Sequence, residues 1–151
     1  MTASEVQTLL DMHNTVRANY QAPPLTWDAT IASRAQAHAN TCVYGHSSVD
    51  ERKTYGFGEN IAAGGNRVNV GSIWNNEECA AYKQPDPNQK YNVAGHFTQN
   101  IWKNSRKIGC GLATRNDCPY GNYLVCQYNP PGNVTGQYTA NLLNPKVAPR
   151  C

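Results

Sequence analysis

The sequence predicts an α+β fold, with helices laid on a small, mainly antiparallel sheet. Three observations carry that expectation. Apolar residues recur at helical spacing through much of the first two thirds of the chain. Two strand-like runs with a turn between them fill positions 107–128. Six cysteines are spread over 151 residues rich in Gly, Pro and Asn. The length suits one domain, 1–151, with residues 136–151 as an extended C-terminal tail.

Ser4-Glu5-Val6-Gln7 reads as a capping box, and Val6, Leu9, Leu10, His13, Val16 and Tyr20 follow at helical spacing. A helix over about 5–20 is expected, stopped by Pro23-Pro24. Thr26 is the expected cap of a second helix, whose buried face would hold Trp27, Ile31, Ala35, His38 and Cys42. Residues 43–54 are polar and without period, hence a loop. Tyr55 to Ile61 reads as a short strand punctuated by Gly56 and Gly58, and Gly64-Gly65-Asn66 as a turn. Val70, Ile73, Trp74 and Ala81 predict a helix over about 70–82. Pro85, Pro87 and Gly95 make 83–95 a long loop, before a short helix near 97–104 with Phe97, Ile101 and Trp102. Lys107–Ala113 and Tyr123–Tyr128 are the strands of a hairpin that turns through Pro119-Tyr120-Gly121-Asn122. Cys110 and Cys126 stand at similar distances from that turn, within reach of a cross-strand bridge. Beyond Pro130-Pro131-Gly132 there is little periodicity, and Cys151 is expected to pin the tail back.

Composition excludes several classes. The net charge is +3 and the 13 Lys and Arg are scattered, so no basic stripe for nucleic acid exists. No run of about 18 apolar residues could span a membrane. The opening Thr2-Ala3-Ser4-Glu5 lacks the apolar core of a signal peptide. Apolar residues at 40% and a modest net charge set the chain apart from disordered sequences. The cysteines contain no C-x-x-C pair, against a thioredoxin motif or a zinc ribbon. Their even number predicts three disulfides and an oxidising, extracellular setting. Asn133-Val134-Thr135 is a glycosylation sequon compatible with secretion.

Four polar positions stand out. Glu77 lies on the apolar face of its helix, where a carboxylate needs a partner. Glu59 sits between Gly58 and Asn60, and His46 and His96 each follow a glycine. Two His and two Glu that converged would make a divalent-cation site or an acid-base cluster. If they did not, the histidines would be solvated loop residues and a Glu would belong to a structural ion pair. No H-E-x-x-H helix or Gly-x-Ser-x-Gly elbow is present. His13 and His38 read as hydrogen-bonded core histidines.

Several strings then point to one family. They are His13-Asn14-x-x-Arg17, Pro23-Pro24-Leu25-Thr26-Trp27-Asp28, Gly58-Glu59-Asn60 and Trp74-x-x-Glu77, followed by Gly95-His96-Phe97-Thr98-Gln99-x-x-Trp102, Ile108-Gly109-Cys110-Gly111 and Tyr123-Leu124-Val125-Cys126-x-Tyr128-x-Pro130-Pro131-Gly132-Asn133. In this order, over about 5–135, the chain resembles the CAP superfamily of cysteine-rich secretory, antigen 5 and pathogenesis-related group-one proteins, plant and fungal members included. The resemblance implies an α-β-α sandwich secreted as a disulfide-bonded monomer. It implies a cleft lined by His46, Glu59, Glu77 and His96; in some members the two His, here His46 and His96, hold a divalent cation, usually zinc, while the carboxylates orient water or the imidazoles. Binding of that kind needs neutral imidazoles and should fade below about pH 6.5. The family pattern also implies the bridges Cys110–Cys126 and Cys42–Cys118, and with them Cys79–Cys151.

Some relatives of this kind bind sterols or fatty acids, the sterols at an aromatic loop before the Gly-His-Phe-Thr-Gln string. Here that loop is Tyr82 to Asn92, and Tyr82, Pro85, Pro87 and Tyr91 are the candidate ligand contacts. Lys83, Asp86 and Lys90 make it less apolar than the richest form of the motif. The expectation is a secreted, non-enzymatic protein that binds a small hydrophobic ligand, sterol or fatty acid, in host defence or pathogen–host contact. The alternatives are an interaction protein recognising an extracellular host protein and, less favoured, a metal-assisted hydrolase with Glu59 or Glu77 as base, since two protein ligands hold a metal less firmly than three.

Overall fold

The computed structural model describes residues 1–114 and 116–151. Helix α1 (Ala3–Asn19) begins two residues before the expected start. Its cap is Thr2, not Ser4. The Glu5 amide donates to Thr2 Oγ1 and the Glu5 carboxylate accepts from the Thr2 amide. Thr2-x-x-Glu5 satisfies the same capping rule as Ser4-x-x-Gln7 and adds a negative charge at the helix N-terminus. Thr26 and Trp27 form a two-residue strand, β1, and Asp28 caps α2 (Ala29–Asn40) by accepting from the Ile31 amide.

The stretch expected as a loop contains α3 (Val49–Tyr55). None of its residues is buried, so it has no apolar stripe to read. It is held at its ends instead, by Ser48 as N-cap and by Gly56 in the left-handed conformation at φ 64°. Strand β2 is Gly58–Ala63. The helix expected over 70–82 is two pieces, a 3-10 helix over Arg67–Glu77 and α4 (Glu78–Lys83). Helix α5 (Pro87–Asn100) occupies most of what was expected as a loop. Asp86 caps it and Pro87 is its first residue, so a proline that reads as a breaker is a start signal. The helix is kinked at Ala94 (φ −155°, ψ 44°). Strands β3 (Lys107–Ala113) and β4 (Tyr123–Asn129) form the expected hairpin, and α6 (Tyr138–Asn141) lies in the tail.

The strands form one sheet in the order β1-β3-β4-β2. β1 is parallel to β3 and the other pairs are antiparallel, with Cys110 opposite Cys126 and Asn60 opposite Cys126 on the far side. Helix α2 covers one face, and α1, the 3-10 helix and α5 cover the other, giving an α-β-α sandwich. Residues alternate accordingly. Leu124, Cys126 and Tyr128 pack with Leu9, Trp74 and Ile108, whereas Tyr123 and Val125 pack with Ala35 and Ala39. Gly109 and Gly111 let α2 lie directly on β3, since a Cβ at either would enter the backbone of Ile31–Ala32 or Ala35–Gln36. Beyond the short β1, the open edge of β3 is covered by the Gln36 amide, which bonds both the N–H and the C=O of Leu112 at 2.9 Å.

Three disulfides close the structure. Cys42–Cys118 ties the end of α2 to the β3–β4 connection, Cys79–Cys151 ties α4 to the C-terminus, and Cys110–Cys126 crosses the hairpin. The tail also buries Tyr138 and Leu142 in a cluster with Tyr20, Phe97 and Trp102.

Two buried polar residues of α1 organise the interior. Arg17 donates to Pro23 O (2.8 Å), Asn100 O (3.0 Å), Trp102 O (2.8 Å) and Ser105 O (2.7 Å), clamping the C-terminal end of α5. Burial draws its pKa down to about 10, so it stays charged at neutral pH. His13 donates from Nδ1 to Leu9 O at 2.7 Å, so its Nε2 accepts from the Tyr128 hydroxyl at 2.7 Å. No helix among the described residues is long and apolar enough to cross a membrane.

Candidate functional site

A cleft of about 670 Å³ opens along the free edge of β2. His46 and Glu59 line it from one side, Glu77 and His96 from the other. Each imidazole is paired with its own carboxylate. His46 Nδ1 donates to Glu59 Oε1 at 3.0 Å, and His96 Nδ1 donates to Glu77 Oε2 at 2.9 Å. A carboxylate only accepts, so in the neutral ring the proton sits on Nδ1 and Nε2 keeps a free lone pair. The imidazole side chains are 49% and 39% exposed, while Glu59 is fully covered and Glu77 mostly so. The acids stand behind the rings.

Glu59 belongs to β2 and takes three more hydrogen bonds: from the Ser47 amide (2.8 Å), Ser47 Oγ (2.6 Å) and Gln127 Nε2 (3.0 Å). Burial is the strongest single influence and pushes its pKa upward. The donors His46, Ser47 and Gln127 together outweigh it and hold the group at about 2. Gln127 is oriented by Arg34, whose guanidinium lies 4.2 Å from the Phe57 ring centre. Glu77 closes the 3-10 helix, and its Oε1 accepts from the amides of His96 and Phe97, both at 3.0 Å. These amides follow the kink at Ala94, so Glu77 caps the second half of α5 from another element. Burial again raises the Glu77 pKa, and the bonds from His96 and Phe97 overcome it and leave it below the usual carboxylate range. The His96 ring lies nearly parallel to Trp74, centres 6.3 Å apart, and Trp74 is fixed by a bond from Nε1 to Ile61 O at 3.2 Å.

Asn60 braces the halves together. Its Nδ2 donates to His96 O (3.1 Å) and Asn100 Oδ1 (2.9 Å), joining β2 to α5. Asn133 builds the far wall with backbone φ 56°. Its amide donates to Gly95 O at 2.9 Å, and its oxygen accepts from Thr98 Oγ1 at 2.6 Å. Arg52 of α3 stands on the cleft wall with Nε donating to Ser47 O at 3.1 Å. Sequence reasoning missed Ser47, Gln127 and Asn133 as parts of the site. Of these three, only Asn133 lies in the strings that carry the family resemblance, as Asn60 does.

The candidate hydrophobic-ligand residues do not share one pocket. Tyr82, Pro85 and Pro87 line a separate chamber of about 170 Å³ with Tyr20, Phe97 and Leu142. Tyr91 lines the large cleft instead, its ring packed on Gly95 where a Cβ would come within 3.1 Å. The kinked helix divides the segment, presenting Tyr91 to one side and the 82–87 turn to the other. Lys90 holds that turn closed through bonds to Ala81 O and Gln84 O, and burial lowers its pKa. His38 is structural, donating to Gly45 O at 2.6 Å.

Among the described residues no group of three or more His, Cys, Asp and Glu is disposed as a metal site; with both Nδ1 atoms engaged, the Nε2 atoms of His46 and His96 are the nitrogens left to a cation. In type they suit zinc, and their carboxylate partners match the usual outer support of metal-bound histidines.

A model of the Cysteine-rich secretory protein family (CAP) matches residues 10–128. The chain is 37% identical over 138 residues to Pathogenesis-related protein 1C of Nicotiana tabacum, covering 87% of this chain and 78% of the relative. It is 36% identical to Secreted protein PRY1 of Candida albicans, covering 93% of this chain but only 32% of that longer protein. The crystal structure of NaASP2 with Zn2+ superposes with a TM-score of 0.78 at 26% identity, covering 96% of this chain and 87% of that one.

Proposed function

Because the chain belongs to the CAP family of cysteine-rich secretory proteins, we propose that it is an extracellular binding protein that takes its ligand on a divalent cation held by His46 and His96. One observation carries this reading: both Nδ1 protons are given to carboxylates, so both free Nε2 lone pairs belong to rings lining one cleft. The similarity to NaASP2, whose crystal structure contains Zn2+, supports it. A bound cation would supply positive charge and open coordination positions for a ligand oxygen. Glu59 and Glu77 orient the rings and make them better donors. Neither suits the role of general base, since Glu59 accepts four hydrogen bonds and Glu77 three, and each is held in its ionised form below the usual carboxylate range. Calorimetric titration with zinc should show one ion per chain. Affinity should fall by roughly 10–100-fold in Glu59→Gln and at least as far in His46→Ala or His96→Ala. Equal affinity in the double variant His46→Ala/His96→Ala would remove the reading.

The chamber beside Tyr82 favours a second role, in binding a hydrophobic molecule. An apolar cavity of about 150 Å³ accepts one benzene-sized ring. At about 170 Å³, and lined by Gln84, Lys90 and Asn144 as well as by Tyr20, Phe97 and Leu142, this chamber has room for a ring or a short stretch of hydrocarbon on its apolar side. A whole sterol or fatty acid would enter only if the 83–86 turn lifted from Lys90. Binding of labelled sterol and labelled palmitate should therefore strengthen in Lys90→Met and weaken in Tyr82→Ala. Tyr91→Ala should leave it unchanged. No saturable binding of either lipid to any of these proteins would dismiss the role.

A further inference from the structure

Among the described residues Arg52 carries the one guanidinium on the cleft wall, and its fork is free. Its Nε is engaged by Ser47 O, but its two terminal nitrogens meet no acceptor and no carboxylate at ion-pair distance among the described residues. The other arginines near the core are used up: Arg17 on four carbonyls, Arg34 on Gln127 and two aromatic rings. The bond to Ser47 O places the Arg52 guanidinium one residue from His46, and Ser47 itself holds Glu59. The cleft's own acids are engaged by other donors, their oxygens accepting from His46, Ser47, Gln127, His96 and Phe97. A free fork of paired N–H groups is the side chain suited to an incoming carboxylate.

Charge sets when that fork can be used. Among the described residues the Asp, Glu, Lys and Arg lining the cleft are Glu59, Glu77 and Arg52, two negative charges against one positive. Without a cation the cleft repels anions. A divalent cation turns the deficit of one positive charge into an excess of one, which a single negative charge neutralises. We propose that the ligand of this cleft is a carboxylate monoanion, shared between the cation and the terminal nitrogens of Arg52, and that its capture depends on the cation. This rests on the cation reading above and adds the chemical class of the ligand and the residue that selects it.

Acetate is the simplest probe, with acetamide as its uncharged counterpart. The readout is the ¹⁵N–¹H spectrum of the full chain, including the Arg52 side-chain resonance. With zinc present, acetate should give saturable shifts at Arg52 and at the residues flanking His46 and His96, and acetamide should give none. Without zinc, acetate should leave the same resonances in place. Arg52→Gln should weaken acetate binding about tenfold, the effect of losing one charged hydrogen-bonding partner, without weakening zinc uptake. Arg52→Lys, which keeps the charge and loses the fork, should fall between the two. Failure of zinc to bind overturns the cation reading and this inference together. Zinc uptake with acetate bound equally well by Arg52→Gln, or acetate bound equally well without zinc, overturns the inference alone.

Discussion

Acidification should weaken this protein through His13. The ring is fully buried on α1, with its Nδ1 proton on Leu9 O and its Nε2 lone pair occupied by the Tyr128 hydroxyl. The cationic Arg17 lies one helical turn away. Burial foremost, and then repulsion from Arg17, draw the pKa from 6.5 to about 4, against the hydrogen bond to Leu9 that raises it. The unfolded chain therefore takes up a proton near pH 6.5 that the folded chain refuses until about pH 4. Above that window neither state is charged at this ring, and stability is complete. Through it the unfolded state binds more protons, so stability falls as the pH falls. The width of the window corresponds to about 3 kcal/mol, a large share of the roughly 5–15 kcal/mol that holds a domain folded. Urea unfolding with disulfides intact, repeated from pH 7 to pH 4 on wild type and His13→Gln, isolates the effect. Glutamine can still accept from Tyr128, loses the bond to Leu9 and does not titrate. It should cost about 1–2 kcal/mol at pH 7 and be the more stable protein at pH 4, while carboxylates and other histidines cancel in the difference. A gap that stays constant between pH 7 and pH 4 would refute the reasoning. A His13 resonance titrating near 6.5 would refute it as well.

Arg17→Lys keeps the buried charge but cannot reach all four carbonyls. It should lose about 3 kcal/mol in urea unfolding, and unchanged stability would mean that the clamp on α5 does not matter. Gly111→Ala drives a methyl group into the Gln36 backbone and should cost more than about 2 kcal/mol. Gly45→Ala has open space around it and should change stability by less than about 0.5 kcal/mol. Equal effects at the two glycines would contradict the close packing of α2 on β3. Replacing Cys79 and Cys151 together by Ser removes a link across 72 residues. In the chain-entropy model that is worth about 4 kcal/mol, read as a lower melting temperature, and an unchanged melting point would show that the tail is held by packing alone.

Elements with a strong period or a covalent marker were legible from the residues. The β3–β4 hairpin was, because two apolar runs flank a turn and Cys110 and Cys126 stand opposite one another. Helices α1 and α2 were legible in extent and displaced at their starts, since Thr2 and Ser4 offer rival caps and Asp28 follows Thr26 by only two residues. Helix α3 was not, because a helix with no buried residue leaves no pattern. β1 was hidden in a two-residue pairing with β3, a contact made only after the chain has folded. α5 was hidden because Pro85 and Pro87 suggest a break wherever they stand, and only the cap at Asp86 tells which side is helical. At the site, the four His and Glu were visible as residue types but not as neighbours. Their convergence came from the resemblance of motif strings. Ser47 and Gln127, which hold Glu59 in its ionised form, carry no signal of their own, because a serine or glutamine becomes an anchor only through the tertiary contact it makes.

Asn133 is also the acceptor position of the sequon Asn133-Val134-Thr135. In the folded wall its nitrogen already gives a proton to Gly95, its oxygen holds Thr98, and its side chain borders the opening. A sugar joined to that nitrogen would have its root inside the wall and its branches across the entrance. Decorated and undecorated molecules would then be two different devices: one stoppered by its own oligosaccharide, the other open to whatever the surrounding fluid contains. Were the chain exported past a glycosyltransferase, the order in which the enzyme and the fold reached this asparagine would decide which of the two resulted.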